Sequence, residues 1–215
     1  DADQRVCLQP GWYERSESLS FEMVEQATAI DRKAWDHVFC MAGGGGLTLA
    51  VSLGFEQLHD AGQLTTLPRV ECVQPEGNNT IAGPLRAGLN VAQTVQCTSR
   101  ISGLQVPQII DGNEVIAACR RNGGTGHLVE DHFVWETQSR LAREEGIFAE
   151  PAGSTAVAGA LQAAKEGNLD PDSNIVCLIT GSAFKDPPSL DAMVQHTSAP
   201  VIELRDLQRR VAETC

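Results

Sequence analysis

The chain has 215 residues and a formal net charge of -12, from 16 basic and 28 acidic residues. This length suits one domain with a substantial core, and the acidic balance argues against nonspecific binding to nucleic acid or to an anionic membrane surface. No apolar run reaches membrane-spanning length, so we expect a cytoplasmic protein that acts on small molecules.

The first segment that carries chemistry is a run of four consecutive glycines. The apolar residues 38–42 predict a buried strand, Gly43 to Gly46 predict a turn, and a helix is predicted from about Leu47 to Asp60. At such a turn several backbone N–H groups and the positive end of the helix face one point, which favours an anion such as a phosphate. A tight turn without a ligand is the alternative, although one glycine normally suffices for it.

Two common nucleotide motifs do not fit this turn. A Walker loop ends in Gly-Lys-Ser/Thr, whereas Leu47 follows Gly46, and a dinucleotide fingerprint that starts at Gly43 needs a third glycine where Thr48 stands. The phosphate of a smaller cofactor remains as the candidate ligand of this turn.

Strands and helices alternate along the rest of the chain, which predicts an α/β fold, a three-layer sandwich with a mostly parallel sheet. The further predicted strands are 69–74, 127–130 and 174–180. The last of these is a continuous apolar run, which predicts a central strand that is covered on both faces. The further predicted helices are 131–145 and 151–165. Segment 77–107 is the least regular, with loop or short helix at 81–85, and we expect it to border a ligand.

Two side chains near predicted strand ends are candidates for a ligand site. Thr180 closes the last predicted strand, and open α/β sheets bind ligands at the carboxyl ends of their strands. Its hydroxyl could hydrogen-bond a neutral ring nitrogen, whereas an ordinary strand exit is the alternative. Glu150 directly precedes helix 151–165, where a carboxylate either caps the helix or faces a ligand, or does both.

Other kinds of chemistry have little support. The five histidines, at positions 37, 59, 127, 132 and 196, have no metal-ligand spacing, which favours surface or core roles over metal binding. Ser154 does not lie in a Gly-x-Ser-x-Gly elbow. Of the three lysines, Lys33 and Lys165 are predicted to be solvated, which leaves Lys185 as the remaining amine.

Four motifs, in the same order, resemble the second half of threonine synthase and, more widely, the fold type II (tryptophan-synthase-β-like) enzymes that use pyridoxal 5'-phosphate. They are Met-Ala-Gly-Gly-Gly-Gly-Leu at 41–47, Val-Gln-Pro-Glu-Gly at 73–77, Glu-Glu-Gly-Ile-Phe-Ala-Glu-Pro-Ala-Gly at 144–153, and Thr-Gly-Ser-Ala-Phe-Lys-Asp at 180–186. The resemblance covers about 20–186. It implies one partial large domain over 1–215, with 187–215 as a C-terminal extension.

The resemblance implies a set of cofactor contacts. The phosphate of pyridoxal phosphate is held by the glycine loop, that is Gly43, Gly44, Gly45 and Gly46. Thr180 faces the pyridine nitrogen, and Glu150 lies near the cofactor. The implied reaction is elimination or replacement on an amino acid such as O-phosphohomoserine. A serine/threonine dehydratase-like deaminase and a degenerate binding module without catalysis are the alternatives.

The chain departs from this family at the catalytic lysine. The resemblance implies a Schiff-base lysine in a Ser-x-Lys motif well before the glycine loop, and this motif is absent from 1–42. Lys185 follows a serine in a similar way, but it falls in the closing motif of the family, where the lysine is not catalytic. We therefore expect an N-terminal half or a partner chain to supply the lysine, and the chain alone to be inactive. The resemblance also implies that the assembly is a homo-oligomer.

Overall fold

The computed structural model describes residues 12–30, 35–195 and 201–214; Lys33 and His196 lie outside them. The strands are β1 His37–Met41, β2 Arg69–Pro75, β3 Gly126–Val129 and β4 Ile175–Cys177. The helices are α1 Trp12–Ala29, α2 Gly46–Asp60, α3 Ala82–Arg86, α4 Gly112–Arg121, α5 Asp131–Glu144, α6 Pro151–Lys165, α7 Pro187–Val194 and α8 Leu204–Thr214. None of these helices is both long and apolar enough to cross a membrane.

The four strands form one parallel sheet in the order β3-β2-β1-β4. The chain first steps outward from β1 to β2 and β3, and then crosses back through α5 and α6 to place β4 on the free side of β1. Because parallel strands need crossover connections, the helices cover both faces and the result is three layers. The predicted fold class is confirmed.

Side chains along each strand point alternately to the two faces of the sheet, and this divides the core into two clusters. On β1, Val38 and Cys40 pack into the cluster beneath α2 and α4, whereas Phe39 and Met41 pack into the cluster beneath α6. Successive side chains of a strand point to opposite faces, so one apolar strand supplies both cores. This is why β1 is buried throughout.

Helix α6 approaches the sheet more closely than ordinary side chains would allow. A Cβ on Gly159 would lie 2.5 Å from Val73 Cγ2, and a Cβ on Gly153 would overlap the carbonyl oxygen of Thr180. The helix contacts all four strands and is buried along most of its length, as its alanine-rich composition predicts. Its bounds, 151–165, are those predicted.

One strand is placed differently from the prediction. We predicted a central strand over 174–180, but β4 covers Ile175–Cys177 and lies at the edge of the sheet, with Ile175 36% exposed. A continuous apolar run indicates that both faces of a strand are covered by other elements. It does not indicate whether the strand is hydrogen-bonded to another strand on both of its edges. In the described part of the chain, β1 is its one strand partner.

His37, Glu71 and His127 form a buried polar cluster on the α6 face of the sheet. The Glu71 carboxylate accepts from His37 Nδ1 at 2.8 Å, from His127 Nε2 at 3.0 Å and from the Thr125 amide at 2.8 Å. Burial alone raises the pKa of Glu71, but the hydrogen bonds from His127, Thr125 and His37 outweigh it and hold the pKa below its ordinary value. Both histidines therefore have core roles, and core roles are one of the two alternatives, surface or core, that we predicted for the histidines.

The contact between Gly159 and Val73 gives a stability prediction. Gly159→Ala should favour the helix by about 0.5–1 kcal/mol from propensity alone, yet the new methyl group would collide with Val73. We expect a net loss of about 1–3 kcal/mol in the free energy of unfolding, measured by urea denaturation. Combining it with Val73→Ala should cost less than the sum of the two single changes; simple additivity would contradict the proposed collision.

The buried carboxylate gives a pH prediction. Because the pKa of Glu71 is lowered in the folded state, its stabilisation is present at neutral pH and is lost as the pH falls below 4.5 and through the folded-state pKa. Glu71→Gln should lower the free energy of unfolding at pH 7 by about 1–3 kcal/mol, and the difference from the original chain should shrink in acid. Glu56→Gln, which removes an exposed ion pair with Arg121, is the control and should have little effect at either pH.

Candidate functional site

The glycine loop, Gly43 to Gly46, connects the end of β1 to the start of α2. Gly45 occupies the N-cap position with φ 104°, a left-handed conformation that favours glycine. In the described residues, none of the backbone amides from Gly43 to Thr48 donates a hydrogen bond to the protein. These amides lie at the positive end of a 15-residue helix, so the loop suits an anion.

Neighbouring residues leave little space for side chains in the glycine loop. A Cβ would lie 3.0 Å from the Gly103 carbonyl oxygen if placed on Gly43, 3.1 Å from Ile110 if placed on Gly44, and 2.7 Å from Val115 if placed on Gly45. The neighbours belong to the irregular segment after α3 and to α4. That segment therefore borders the glycine loop, and the prediction that it borders a ligand stays a prediction.

Gln74 holds the loop in place from beneath. Its Nε2 donates to the Ala42 carbonyl at 3.2 Å and, more weakly, to the Gly43 carbonyl at 3.4 Å, and its Oε1 accepts from the Ile81 and Ala82 amides at 2.7 and 2.9 Å. The side chain is fully buried. With the carbonyls at the start of the loop turned towards Gln74, this end of the loop is pinned to the sheet.

A second support crosses the loop from outside. We call residues 98–106 the strap. Asp131, at the start of α5, accepts from the Ser99 hydroxyl at 2.8 Å and from the Arg100 amide at 2.6 Å, and Asn78 donates to the Val106 carbonyl at 3.1 Å. Both ends of the strap are thus fixed, which places Gly103 against the glycine loop.

Thr180 and Glu150 come together at the same end of the sheet. The Glu150 amide donates to the Gly181 carbonyl at 3.3 Å, and a Cβ on Gly181 would overlap the Glu150 carboxylate. Glu150 takes the N-cap position of α6, but its side chain accepts no capping hydrogen bond. Thr180 is exposed, and its hydroxyl has no hydrogen-bond partner in the described residues.

Thr180 and the glycine loop follow the ends of the neighbouring strands β4 and β1. The Leu178 amide donates to the Phe39 carbonyl at 3.0 Å, so the two strands still run side by side just before Gly43 and Thr180. From β1 the chain passes into α2 on one face, whereas from β4 it passes towards α7, which meets α5 on the other face through Gln138 and Ser189. Open α/β sheets bind ligands where such connections diverge.

Lys185 forms an ion pair with Glu150. Its Nζ is 3.0 Å from Glu150 Oε1, and its side chain is 64% exposed. This ion pair holds the Lys185 amine at Glu150. The arrangement fits the expectation that Lys185 is not the catalytic lysine.

The residues present fit pyridoxal phosphate. The unpartnered amides and helix end suit a phosphate dianion, and the unpartnered hydroxyl of Thr180 suits a ring nitrogen. Our sequence reasoning gave no role to Gln74 or Asp131. A usable signal was present for Gln74, because a polar side chain within a buried apolar strand needs partners; Asp131 offered none, since its partners are 31 and 32 residues away.

Comparison with known proteins agrees with this geometry. The family model described as pyridoxal-phosphate dependent enzyme matches residues 8–181. Threonine synthase from Methanocaldococcus jannaschii is 27% identical over 195 residues, which are 90% of this chain and 47% of that protein. Threonine synthase from Methanosarcina acetivorans is 27% identical over 85% of this chain and 45% of its own length. The chain spans about half the length of the curated relatives it matches.

Solved structures show the same fold. The processed form of threonine deaminase isoform 2 from Solanum lycopersicum has a TM-score of 0.67 and 21% identity, covering 89% of this chain and 51% of that one. A fungal L-serine ammonia-lyase from Rhizomucor miehei has a TM-score of 0.68 and 18% identity, covering 88% of this chain and 58% of that one. The chain belongs to the family of pyridoxal-phosphate-dependent enzymes.

The glycine loop gives a testable prediction with a matched control. Gly45→Ala places a methyl group in a left-handed position and against Val115, so it should lower stability by about 1–3 kcal/mol and reduce phosphate affinity about tenfold. Gly62→Ala is the control, because Gly62 also has a positive φ, 71°, but has nothing within 4 Å of a Cβ. It should cost about 1 kcal/mol and leave phosphate affinity unchanged. Equal effects on affinity would contradict a role for the loop in anion binding.

Proposed function

We propose that this member of the pyridoxal-phosphate-dependent enzyme family supplies the cofactor-binding part of a lyase similar to threonine synthase. In this proposal residues 1–215 are part of one large domain, with 187–215 as an extension, and the assembly is a homo-oligomer. The observation that carries the proposal is that the unpartnered glycine-loop amides and the free hydroxyl of Thr180 follow the ends of two neighbouring parallel strands, β1 and β4. The curated relatives are threonine synthases, and the resemblance to that family implies an amino acid such as O-phosphohomoserine as the substrate.

The main-chain amides of Gly43, Gly44, Gly45 and Gly46 would bind the cofactor phosphate. Glycine is favoured because a Cβ at the first three positions would lie within 3.1 Å of Gly103 in the strap, of Ile110 or of Val115 in α4. The helix end adds favourable charge, and these donors are already fixed by Gln74 and by the strap before any ligand arrives. Little ordering remains to be done when the phosphate binds.

Thr180 would donate its hydroxyl hydrogen to the pyridine nitrogen. A neutral donor leaves that nitrogen unprotonated, in contrast to a carboxylate, which would stabilise the protonated ring. When bound, pyridoxal phosphate supplies the electron sink for carbanion chemistry on an amino acid. Glu150 would lie beside the ring, with its carboxylate paired to Lys185.

The proposal assigns the catalytic lysine to an N-terminal half of a longer chain or to a partner chain. The relatives are about twice as long as this chain, and Lys185 is held by Glu150. A serine/threonine dehydratase-like deaminase is the second candidate, because a threonine deaminase and an L-serine ammonia-lyase are among the structures that share the fold. A non-catalytic binding module is the third.

The three candidates differ in their products and in the coding sequence. The protein, with all that its natural reading frame or partner provides, is incubated with pyridoxal phosphate and with O-phosphohomoserine, L-threonine or L-serine. Release of phosphate with formation of threonine supports the leading proposal, whereas ammonia and a 2-oxo acid from threonine or serine support the deaminase. Neither product, with no Ser-x-Lys segment encoded upstream or on a partner, supports the binding module.

The location of the catalytic lysine gives a prediction of its own. Borohydride reduction of the assembled enzyme fixes the cofactor covalently to its lysine, and peptide mapping then identifies that residue. We expect the adduct at a lysine outside residues 1–215, and Lys185→Met should leave the yield of adduct within about twofold because Lys185 only pairs with Glu150. An adduct on Lys185 would overturn the assignment.

A further inference from the structure

A second concave site lies on the outer face of the α5–α7 layer. A cleft of about 950 Å³ opens between α5, α7 and the strap, and its lining includes Arg100, Trp135, Gln138, Arg143 and Met193. This volume is at the upper end of the range for small-molecule sites. The glycine loop and Thr180 are not among its lining residues, whereas Lys185, which pairs with Glu150, is, so the cleft adjoins the candidate cofactor site without including the glycine loop.

The floor of the cleft carries a buried acceptor without a donor. Gln138 is 1% exposed, and its Nε2 donates to the Ala149 carbonyl at 3.0 Å and to Ser189 Oγ at 3.2 Å. Since Ser189 Oγ donates its own hydrogen to the Asp186 carbonyl, it must accept from Gln138, and this sets the orientation of the amide. Gln138 Oε1 is left with no hydrogen-bond partner. A buried unpaired acceptor is costly, and a ligand N–H group would remove that cost.

Two arginines at the cleft have no ion-pair partner in the described part of the chain. Arg100 lies over the Trp135 ring at 5.1 Å, and neither it nor Arg143 forms an ion pair, whereas the nearby Arg140 and Lys185 pair with Glu144 and Glu150. The same lining also includes the acidic residues Glu136 and Asp186, and in the described residues neither arginine forms an ion pair with them. Guanidinium groups bind carboxylates through two parallel hydrogen bonds.

We propose that this cleft binds a free amino acid with an apolar side chain. Arg143 and Arg100 take the carboxylate, Gln138 Oε1 accepts from the ammonium group, and Trp135 and Met193 contact the side chain. The pattern requires a negative group, a donor and an apolar part in one small molecule. An inorganic anion lacks the last two features, and a simple amine lacks the first.

The experiment uses L-leucine as the probe and isothermal titration calorimetry on the complete natural protein. We expect L-leucine to bind, and isocaproate, which lacks the ammonium group, and isoamylamine, which lacks the carboxylate, to bind at least about tenfold more weakly. Arg143→Met should weaken L-leucine binding at least about tenfold, because it removes a charge-assisted hydrogen bond from an exposed position that the fold does not need. Arg140→Met, on the same helix but outside the cleft, is the matched control and should leave binding unchanged.

The absorbance of the bound cofactor separates this site from the cofactor site. L-Leucine in the cleft should leave the spectrum unchanged. Binding that changes the spectrum and survives Arg143→Met would place L-leucine at the cofactor edge and overturn the proposal. Absence of binding, or equal binding of isocaproate, would also overturn it. None of these outcomes depends on turnover, so the proposed lyase function stands or falls separately.

Discussion

The close approach of α6 to the sheet is the constraint on which the rest of the structure depends. Gly159 allows the helix to lie directly on Val73, and Gly153 allows the start of the helix to touch the Thr180 carbonyl. The second contact fixes where β4 ends relative to α6, and therefore fixes Glu150 beside Gly181. Packing of small residues in this way sets the relative position of groups far apart in the sequence, which is what a ligand site requires.

Local patterns predicted the elements that have strong periodicity or clear stop signals. Helices α2 and α6 have their predicted bounds to within one residue, and β2 and β3 are shifted by one residue or less at each end. Helix α4 was not predicted: its apolar residues Val115, Ile116 and Cys119 have helical spacing, but only four residues separate the irregular segment 77–107 from its start. The position of β4 at an edge was wrong, because pairing across a sheet is decided by distant segments and leaves no trace in a local apolar run.

The candidate site divides in a similar way. The glycine loop and Thr180 could be identified from the sequence because backbone conformation and strand ends leave local signals, in glycine runs and in the last residue of an apolar segment. The two residues that hold the loop in place, Gln74 and Asp131, could not be identified in this way. Gln74 connects the loop to the start of α3, and Asp131 connects α5 to the strap, and both depend on contacts between segments that only the fold brings together. Their roles in cofactor binding stay predictions, as do those of the loop itself.

The edge position of β4 has a consequence for handling the protein. Along its outer side, the described part of the chain offers no strand to pair with the peptide groups of β4, and Ile175 and Ile179 are each 36% exposed there. An open, apolar strand edge is a template for another strand, whether it comes from a neighbouring subunit or from an identical molecule in solution. This chain, expressed by itself, therefore carries an intrinsic tendency to aggregate through intermolecular β-pairing, which rises with concentration and which a charged side chain at position 175 or 179 would suppress.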